Sequence, residues 1–235
     1  MSVFSTPAIL IRRLDYGDYD LILTFLSLQR GKISLIAKSA KKSTKRFAGT
    51  LELFSLIDIV VSTGKRRGLP ILQEAALKSA YSTIRNDIQK TAYASYWCEL
   101  LHNWLEDNQK QAQLYYLLKY ALDQLDRGVV TAAELSVLFQ MRLLYLSGHR
   151  PNLQQCARCR KNLDAIEAQQ IIFDISKGTI LCPGCASGSG GRVRLSKRTI
   201  KHLAWFNNED LKKALRVRFG AQALKESIEM LEAFV

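Results

Sequence analysis

The spacing of hydrophobic positions changes twice along the chain. From Pro7 to about Leu77 the apolar residues come in short runs or strict alternation, as β-strands require. Ala8–Leu14 reads as a first strand, ended by Asp15-Tyr16-Gly17-Asp18, and Leu21–Ser27 as a second. Gln29-Arg30-Gly31 makes a tight turn into a third, Lys32–Ala37. Leu51, Leu53, Ser55, Ile57, Ile59 and Val61 alternate along one face of a long fourth strand, and Leu69–Ala75 reads as a fifth. Five short strands in so short a stretch suit a small closed barrel. The OB-fold is the common five-stranded version, and an SH3-like barrel gives a similar pattern.

From about Ile84 the period becomes helical. Ile88, Ala92, Tyr96, Leu100 and Trp104 form one stripe with Tyr93, Trp97 and Leu101 alongside. Cys98 and His102 lie in this helix and read as a buried thiol and a polar-edge imidazole. Leu114, Leu117, Leu118, Ala121, Leu122 and Leu125 predict a second helix stopped near Gly128. Thr131-Ala132-Ala133-Glu134 fits a capping box opening a third, whose core face is Leu135, Leu138, Phe139 and Leu146. A three-helix bundle is the natural expectation for this stretch. Alternation then returns: Ile171–Ile175, Ser176-Lys177-Gly178 and Thr179–Leu181 predict strand, turn and strand. After a Gly/Ser-rich link, Ser196 is a fair N-cap for a helix through Trp205-Phe206, Asn208 for one from Glu209 to Arg218, and a last amphipathic helix from Ala221 carries Leu224, Ile228 and Leu231.

Charge adds a second layer. The formal net charge is +13. Residues 1–80 carry 13 Lys/Arg against 6 Asp/Glu, residues 81–150 carry 7 against 7, and residues 151–235 carry 14 against 8. Positive charge clustered at two ends of a chain with a neutral middle is the footprint of a polyanion partner, most often nucleic acid. An anionic membrane surface is the weaker alternative, because no basic amphipathic helix with a Trp/Phe face stands out. No apolar run approaches the roughly 20 residues that span a bilayer. The start, Met1–Pro7, lacks the features of a signal peptide, so cytoplasm is the expected compartment.

Within the β segment the cations gather in two connections. Lys38, Lys41, Lys42, Lys45 and Arg46 lie between strands three and four, and Lys65, Arg66 and Arg67 between strands four and five. Arg30 and Lys32 lie close by, and Tyr16, Tyr19, Phe47 and Phe54 are candidate platforms for stacked bases. A second basic cluster, Arg192, Arg194, Lys197, Arg198 and Lys201, follows the Gly/Ser-rich link.

Four of the five cysteines form Cys156-Ala157-Arg158-Cys159, then 22 residues, then Cys182-Pro183-Gly184-Cys185. Thiolates three residues apart reach one ion from a tight turn, and two such turns supply the closed tetrahedral set of a structural zinc site. Two disulfides fit a secreted chain better, and a redox-active pair would open a helix in a βαβ unit. Four filled positions leave no opening for hydrolytic chemistry. The sequence has no Walker-type or dinucleotide-binding glycine motif, and its acids are too scattered for a two-metal nuclease.

Taken together, these residues resemble the bacterial RecO family of DNA-repair proteins, recombination mediators of the RecF pathway. The resemblance runs through Tyr16–Asp20, Gly31-Lys32, the Lys38–Arg46 loop, Gly49–Phe54 and Leu69-Pro70. Its most specific part is Gly148-His149-Arg150-Pro151-Asn152-Leu153 leading into Cys156–Cys159, completed by Lys177-Gly178 and Cys182–Cys185. Lys177 stands where the family often has Gly, and Asp18 where it often has Glu.

The resemblance implies an α+β chain. Residues 1–80 would be an N-terminal five-stranded OB-fold β-barrel, and residues 81–235 an α-helical domain carrying a four-cysteine zinc-finger element at 153–188. The implied cofactor is structural Zn²⁺ on Cys156, Cys159, Cys182 and Cys185. The implied activity is non-enzymatic: binding single- and double-stranded DNA, annealing complementary strands, and with RecR helping RecA displace single-strand-binding protein, whose C-terminal tail is a further partner. Lys38, Lys41, Lys42, Lys45, Arg46, Lys65, Arg66 and Arg67 are the expected phosphate contacts, with Arg30 and Lys32 supporting. A zinc-stapled OB-fold RNA-binding factor is the alternative.

Overall fold

The computed structural model describes residues 2–43, 45–64, 68–187, 191–208, 211–214, 216 and 218–235. These divide into two compact units, Met1–Val129 and Val130–Val235.

The first unit opens with strands β1 (Ser2–Tyr16), β2 (Asp20–Ser27), β3 (Gly31–Ala37), β4 (Leu56–Thr63) and β5 (Ile71–Ser79). They close into a barrel in the order β1-β2-β3-β5-β4, with β1 returning to pair β4. β1 can serve both neighbours because it is 15 residues long: its first half pairs β4, and its second half pairs β2 after an irregularity between Leu10 and Arg12. Alternation fills the interior, with Leu21, Leu23 and Phe25 facing Ile33, Leu35 and Ala37 and Ile57, Ile59 and Val61.

Three strand expectations shift. β1 and β5 run longer than their apolar runs, since their ends pair without burying both faces. The fourth strand begins only at Leu56. Residues 51–55 turn instead, with Phe54 in a left-handed conformation (φ 71°) while its N–H donates to Leu10 O and Leu10 N–H donates to Ser55 O. Leu51 is buried in the barrel core with Leu53 packed against it, so the alternation of Leu51, Leu53 and Ser55 marks a turn that packs on the barrel and not a ladder.

Helices α1 (Ser82–Arg85), α2 (Ile88–Trp104) and α3 (Ala112–Arg127) complete this unit. The second and third predicted helices therefore fall in different units. Asp87 caps α2 by accepting from Gln89 and Lys90 N–H, and Gly128 ends α3 in the left-handed conformation. The α3 stripe is buried as expected. The α2 stripe is rotated at its start: Ile88 is 87% exposed and Ala92 is exposed, whereas the expected Trp97, Leu100 and Leu101 are buried together with Ala94 and Cys98.

The second unit holds α4 (Ala132–Leu146), which opens with the expected Thr131/Glu134 capping box. A four-stranded sheet follows, in the order β6-β8-β7-β9, from β6 (Asn152–Cys156), β7 (Gln170–Asp174), β8 (Thr179–Leu181) and β9 (Arg192–Ser196). β7 and β8 are the expected hairpin, whereas β6 and β9 flank it unforeseen. Helices α5 (Lys197–Asn208), α6 (Leu211–Ala214) and α7 (Ala221–Phe234) end the unit. Ser196 Oγ accepts from Thr199 N–H at the start of α5, as an N-cap should. The expected helix start at Glu209 lies outside the described residues, and Asn208 is the last residue of α5. On α7 the buried face is Ala223, Glu226, Ser227, Met230 and Leu231, with Leu224 only half-buried.

Candidate metal centre and nucleic-acid face

The cysteine knuckles are built by backbone hydrogen bonds. In the first, Arg160 N–H donates to Cys156 O and Cys156 N–H to Lys161 O, with Arg160 in a left-handed conformation closing the turn. In the second, a 3-10 turn over Pro183–Cys185 brings Cys185 N–H onto Cys182 O at 2.9 Å. Parallel pairing of β6 with β8 sets the knuckles side by side, and Ala157 N–H donates to Ile180 O. All four Sγ atoms lie within 4.8 Å of one another, and Cys159 Sγ and Cys182 Sγ are 3.8 Å apart. No two are bonded as a disulfide. Sulfurs about 2.3 Å from a common ion would be about 3.8 Å apart at the corners of a tetrahedron, so the set can hold one metal ion.

The electrostatics agree. Burial alone would raise the Cys156 thiol, but N–H groups of Cys159, Cys182 and Arg158 aimed at its sulfur outweigh that and bring it down to about 6. Cys185, hydrogen-bonded to the Cys182 sulfur, partly desolvated and crowded by Cys159 and Cys156, is pushed up to about 12. One ready thiolate among close thiols is what a cation would exploit. Arg158 Nη1 braces the second knuckle through Ser187 Oγ at 3.0 Å.

In the first unit, the connection after β3 is anchored at both ends by apolar residues. Ala40 and Phe47 insert into the barrel core. Between and beside them Lys38, Lys42, Lys45 and Arg46 present their charges at the surface. Arg46 lies 4.4 Å over the Phe47 ring and donates to Lys38 O, closing the loop on itself. The loop folds against the β1–β2 turn: Lys41 N–H donates to Tyr19 O, and Lys42 Nζ sits 3.4 Å over the Tyr19 ring. Tyr16 and Tyr19 are exposed, so two candidate platforms share one barrel end with the cations. The other two are not exposed: Phe47 packs into the barrel core beneath Arg46, and Phe54 is buried beside β1 and α2.

The remaining predicted cations part company. Arg30 stacks 4.7 Å over Phe4. Lys32 turns inward, its Nζ bonded to His102 O at 2.8 Å and Asp107 at 3.2 Å with a side chain only 12% exposed; it braces barrel to helix. Lys41 pairs with Asp15 and Gly17 O. Lys65, Arg66 and Arg67 lie outside the described residues. In the second basic cluster, Lys197 reaches the carbonyls of Asp164 and Ile166, and Lys201 pairs with Asp164, so both tie down the loop between the knuckles.

Sequence reasoning missed the role of His102. Its Nε2 accepts from Arg12 Nη1 at 2.7 Å, and burial together with Arg12 and Lys32 lowers its pKa and keeps it neutral. Arg12, Arg13, Phe54, Glu99 and His102 line a cleft of about 350 Å³ between β1 and α2. No spacing in the sequence links residues 12 and 102.

Two family models together cover nearly the whole chain. Residues 1–81 match the family model "Recombination protein O N terminal" and residues 85–235 match "Recombination protein O C terminal". The chain belongs to the RecO family. It is 41% identical over 240 residues to the DNA repair protein RecO of Desulfosudis oleivorans, covering 100% of this chain and 92% of that one. The corresponding RecO of Desulfatibacillum aliphaticivorans is 39% identical over 236 residues, again 100% and 92%. That of an Anaeromyxobacter species is 32% identical over 227 residues, covering 97% and 88%. RecO membership carries a role in DNA repair and recombination. Among the described residues no helix is long and apolar enough to cross a membrane.

Proposed function

We propose that this protein is a non-enzymatic recombination mediator that binds single- and double-stranded DNA and anneals complementary strands. With RecR it would help load RecA onto DNA covered by single-strand-binding protein, in the bacterial cytoplasm. In this reading the barrel is an OB-fold and residues 1–80 are the nucleic-acid-binding domain. Residues 81–235 are the helical domain, with a zinc finger at 153–188. Zn²⁺ on Cys156, Cys159, Cys182 and Cys185 is structural: it holds the knuckles together and supplies no open position for a reacting group.

The observation that carries the reading is one barrel end of a RecO-family chain where Lys38, Lys42, Lys45 and Arg46 stand at the surface beside Tyr16 and Tyr19. Annealing brings two mutually repelling strands together. Cations that neutralise phosphates and release counterions lower that repulsion, and bases left free can pair. Lys65, Arg66 and Arg67 join the phosphate set on sequence position. Lys32 and Lys41 leave it, since their ammonium groups are engaged within the protein.

The test is annealing of labelled complementary oligonucleotides coated with single-strand-binding protein, over a salt series and without nucleotide. Acceleration that fades steeply with salt is expected. Lys38→Ala with Lys45→Ala should shallow the single-strand binding slope by about 1.4, at about 0.7 per phosphate contact. No acceleration by the zinc-loaded protein would refute the mediator reading, and a preference for structured RNA would replace DNA as the partner.

A further inference from the structure

The β1–β2 turn is acidic. Asp15, Asp18 and Asp20 fall within six residues, beside a loop that on the reading above meets a polyanion. Each carboxylate there repels phosphate, so charge alone makes them a handicap. The structure gives two of them a task. Asp20 Oδ1 accepts the Ser39 N–H at 2.7 Å, just where the chain leaves β3 with Ser39 in a left-handed conformation (φ 54°). Asp15 Oδ2 pairs with Lys41 Nζ at 3.1 Å, and the same ammonium donates to Gly17 O at 3.1 Å. Lys41 N–H donates to Tyr19 O at 3.0 Å. Residues 39, 41 and 42 are thus all held by the turn: Lys41 through Asp15 and Gly17 O, and Lys42 through the Tyr19 ring.

We infer that Asp15 and Asp20 are positioning residues that strengthen polyanion binding by presetting the 38–46 loop. The inference rests on the loop being a phosphate-binding element. A loop already held in its binding conformation loses less conformational freedom when the ligand arrives, so less of the interaction energy is spent on ordering. Against that gain stands the repulsion of two solvent-facing carboxylates, which salt screens over a Debye length of about 8 Å. On this inference presetting outweighs the repulsion at physiological salt.

Asp20 allows a test in which the two effects differ in sign. Asp20→Asn removes the charge and keeps an oxygen acceptor for Ser39 N–H; Asp20→Ala removes both. Affinity of the full zinc-loaded chain for a labelled oligothymidylate is read by fluorescence anisotropy, with exchange of the amides at 39–42 followed in parallel. We expect Asp20→Ala to bind about 2- to 10-fold more weakly, the worth of one hydrogen bond, with faster exchange at 39–42. Asp20→Asn should bind at least as tightly as the parent. Equal tightening of both variants, or equal weakening, would overturn the inference. Lys38→Ala and Lys45→Ala in the same assay separate the failures. If they leave affinity unchanged, the loop is not a phosphate site and both readings fall. If they weaken binding while Asp20→Ala does not, only the positioning role falls.

Discussion

The barrel strands run from 7 to 15 residues, and Leu23, Phe25, Leu35, Ile57 and Ile59 inside them are fully buried. The strands of the cysteine-bearing sheet run from 3 to 5 residues, and the surface of this region carries Arg194, Gln170 and the exposed Cys159. A closed barrel buries every strand edge and draws its stability from apolar area. A sheet of such short strands has one buried face, where Ile171, Phe173, Ile180 and Leu195 lie, and too little of it to fix two outlying knuckles. On the zinc reading, cross-linking by a metal replaces the area that the sheet lacks. The two regions should therefore fail independently, one through its core and the other, on the zinc reading, through its ion.

The largest expected effect comes from the ion. Structural zinc in small zinc-dependent folds is worth on the order of 10 kcal/mol, and much of that is folding energy. Chelation, or Cys182→Ala, should abolish exchange protection across residues 152–187 while the barrel amides stay protected. If both regions lost protection together, the contrast drawn between them would be wrong. The complementary probe is Phe25→Ala, which leaves a cavity in the barrel and should cost about 3–5 kcal/mol. It should lower the barrel's denaturant midpoint without releasing metal. Gly31→Ala sharpens the same side: at φ +68° a Cβ would stand 1.7 Å from Gln109 O, so the turn between β2 and β3 has no room for any other residue.

Glu226 supplies a prediction of intermediate size, in the second unit. Burial alone would raise its pKa, but Thr199 Oγ1, Gln222 Nε2 and Ser196 N–H all donate to its carboxylate and bring it below the usual value. A depressed folded pKa stabilises above the unfolded value, about 4.3, and that contribution is lost as pH falls through the folded value. Glu226→Gln should thus cost about 1–3 kcal/mol at neutral pH, with the deficit closing below pH ~4. Urea midpoints of parent and variant at the two pH values check it. A deficit unchanged by pH would assign Glu226 a packing role only.

The barrel was largely legible in the sequence because period-two alternation and tight-turn residues are local signals, and the gathering of four cysteines because two C-x-x-C pairs state their own geometry. The failures are tertiary. Ile88 begins the helical stripe by spacing, yet the barrel decides which face of α2 turns inward, through contacts such as Arg12 with the His102 ring and Lys32 with His102 O. β9 carried alternation all along, with Val193 and Leu195 alternating with Arg192 and Arg194, but its charge reads first as a basic cluster. β6 has Leu153 as its one buried aliphatic residue and is a strand because β8 offers it a partner. In the basic loop, composition cannot tell which cation is ion-paired: Lys41 and Lys42 are adjacent, yet Lys41 pairs with Asp15 while Lys42 lies over the Tyr19 ring.

The smallest effect tests whether local chemistry is as sufficient as the Thr131/Glu134 box suggests. Thr131 Oγ1 accepts the Glu134 N–H at 3.2 Å and Glu134 returns to Thr131 N–H, so α4 has its first orphan donors satisfied reciprocally. Glu134 also accepts Phe219 N–H at 3.1 Å and pairs with Arg218, which joins the start of α4 to the chain ahead of α7. Thr131→Ala removes only the cap and should cost about 1 kcal/mol, with Thr131→Ser restoring most of it. Glu134→Ala removes the cap's second half together with the tie to Phe219, so it should cost more than Thr131→Ala. Equal losses for the two variants would mean that the cap alone matters at this end of α4. The barrel should register neither change.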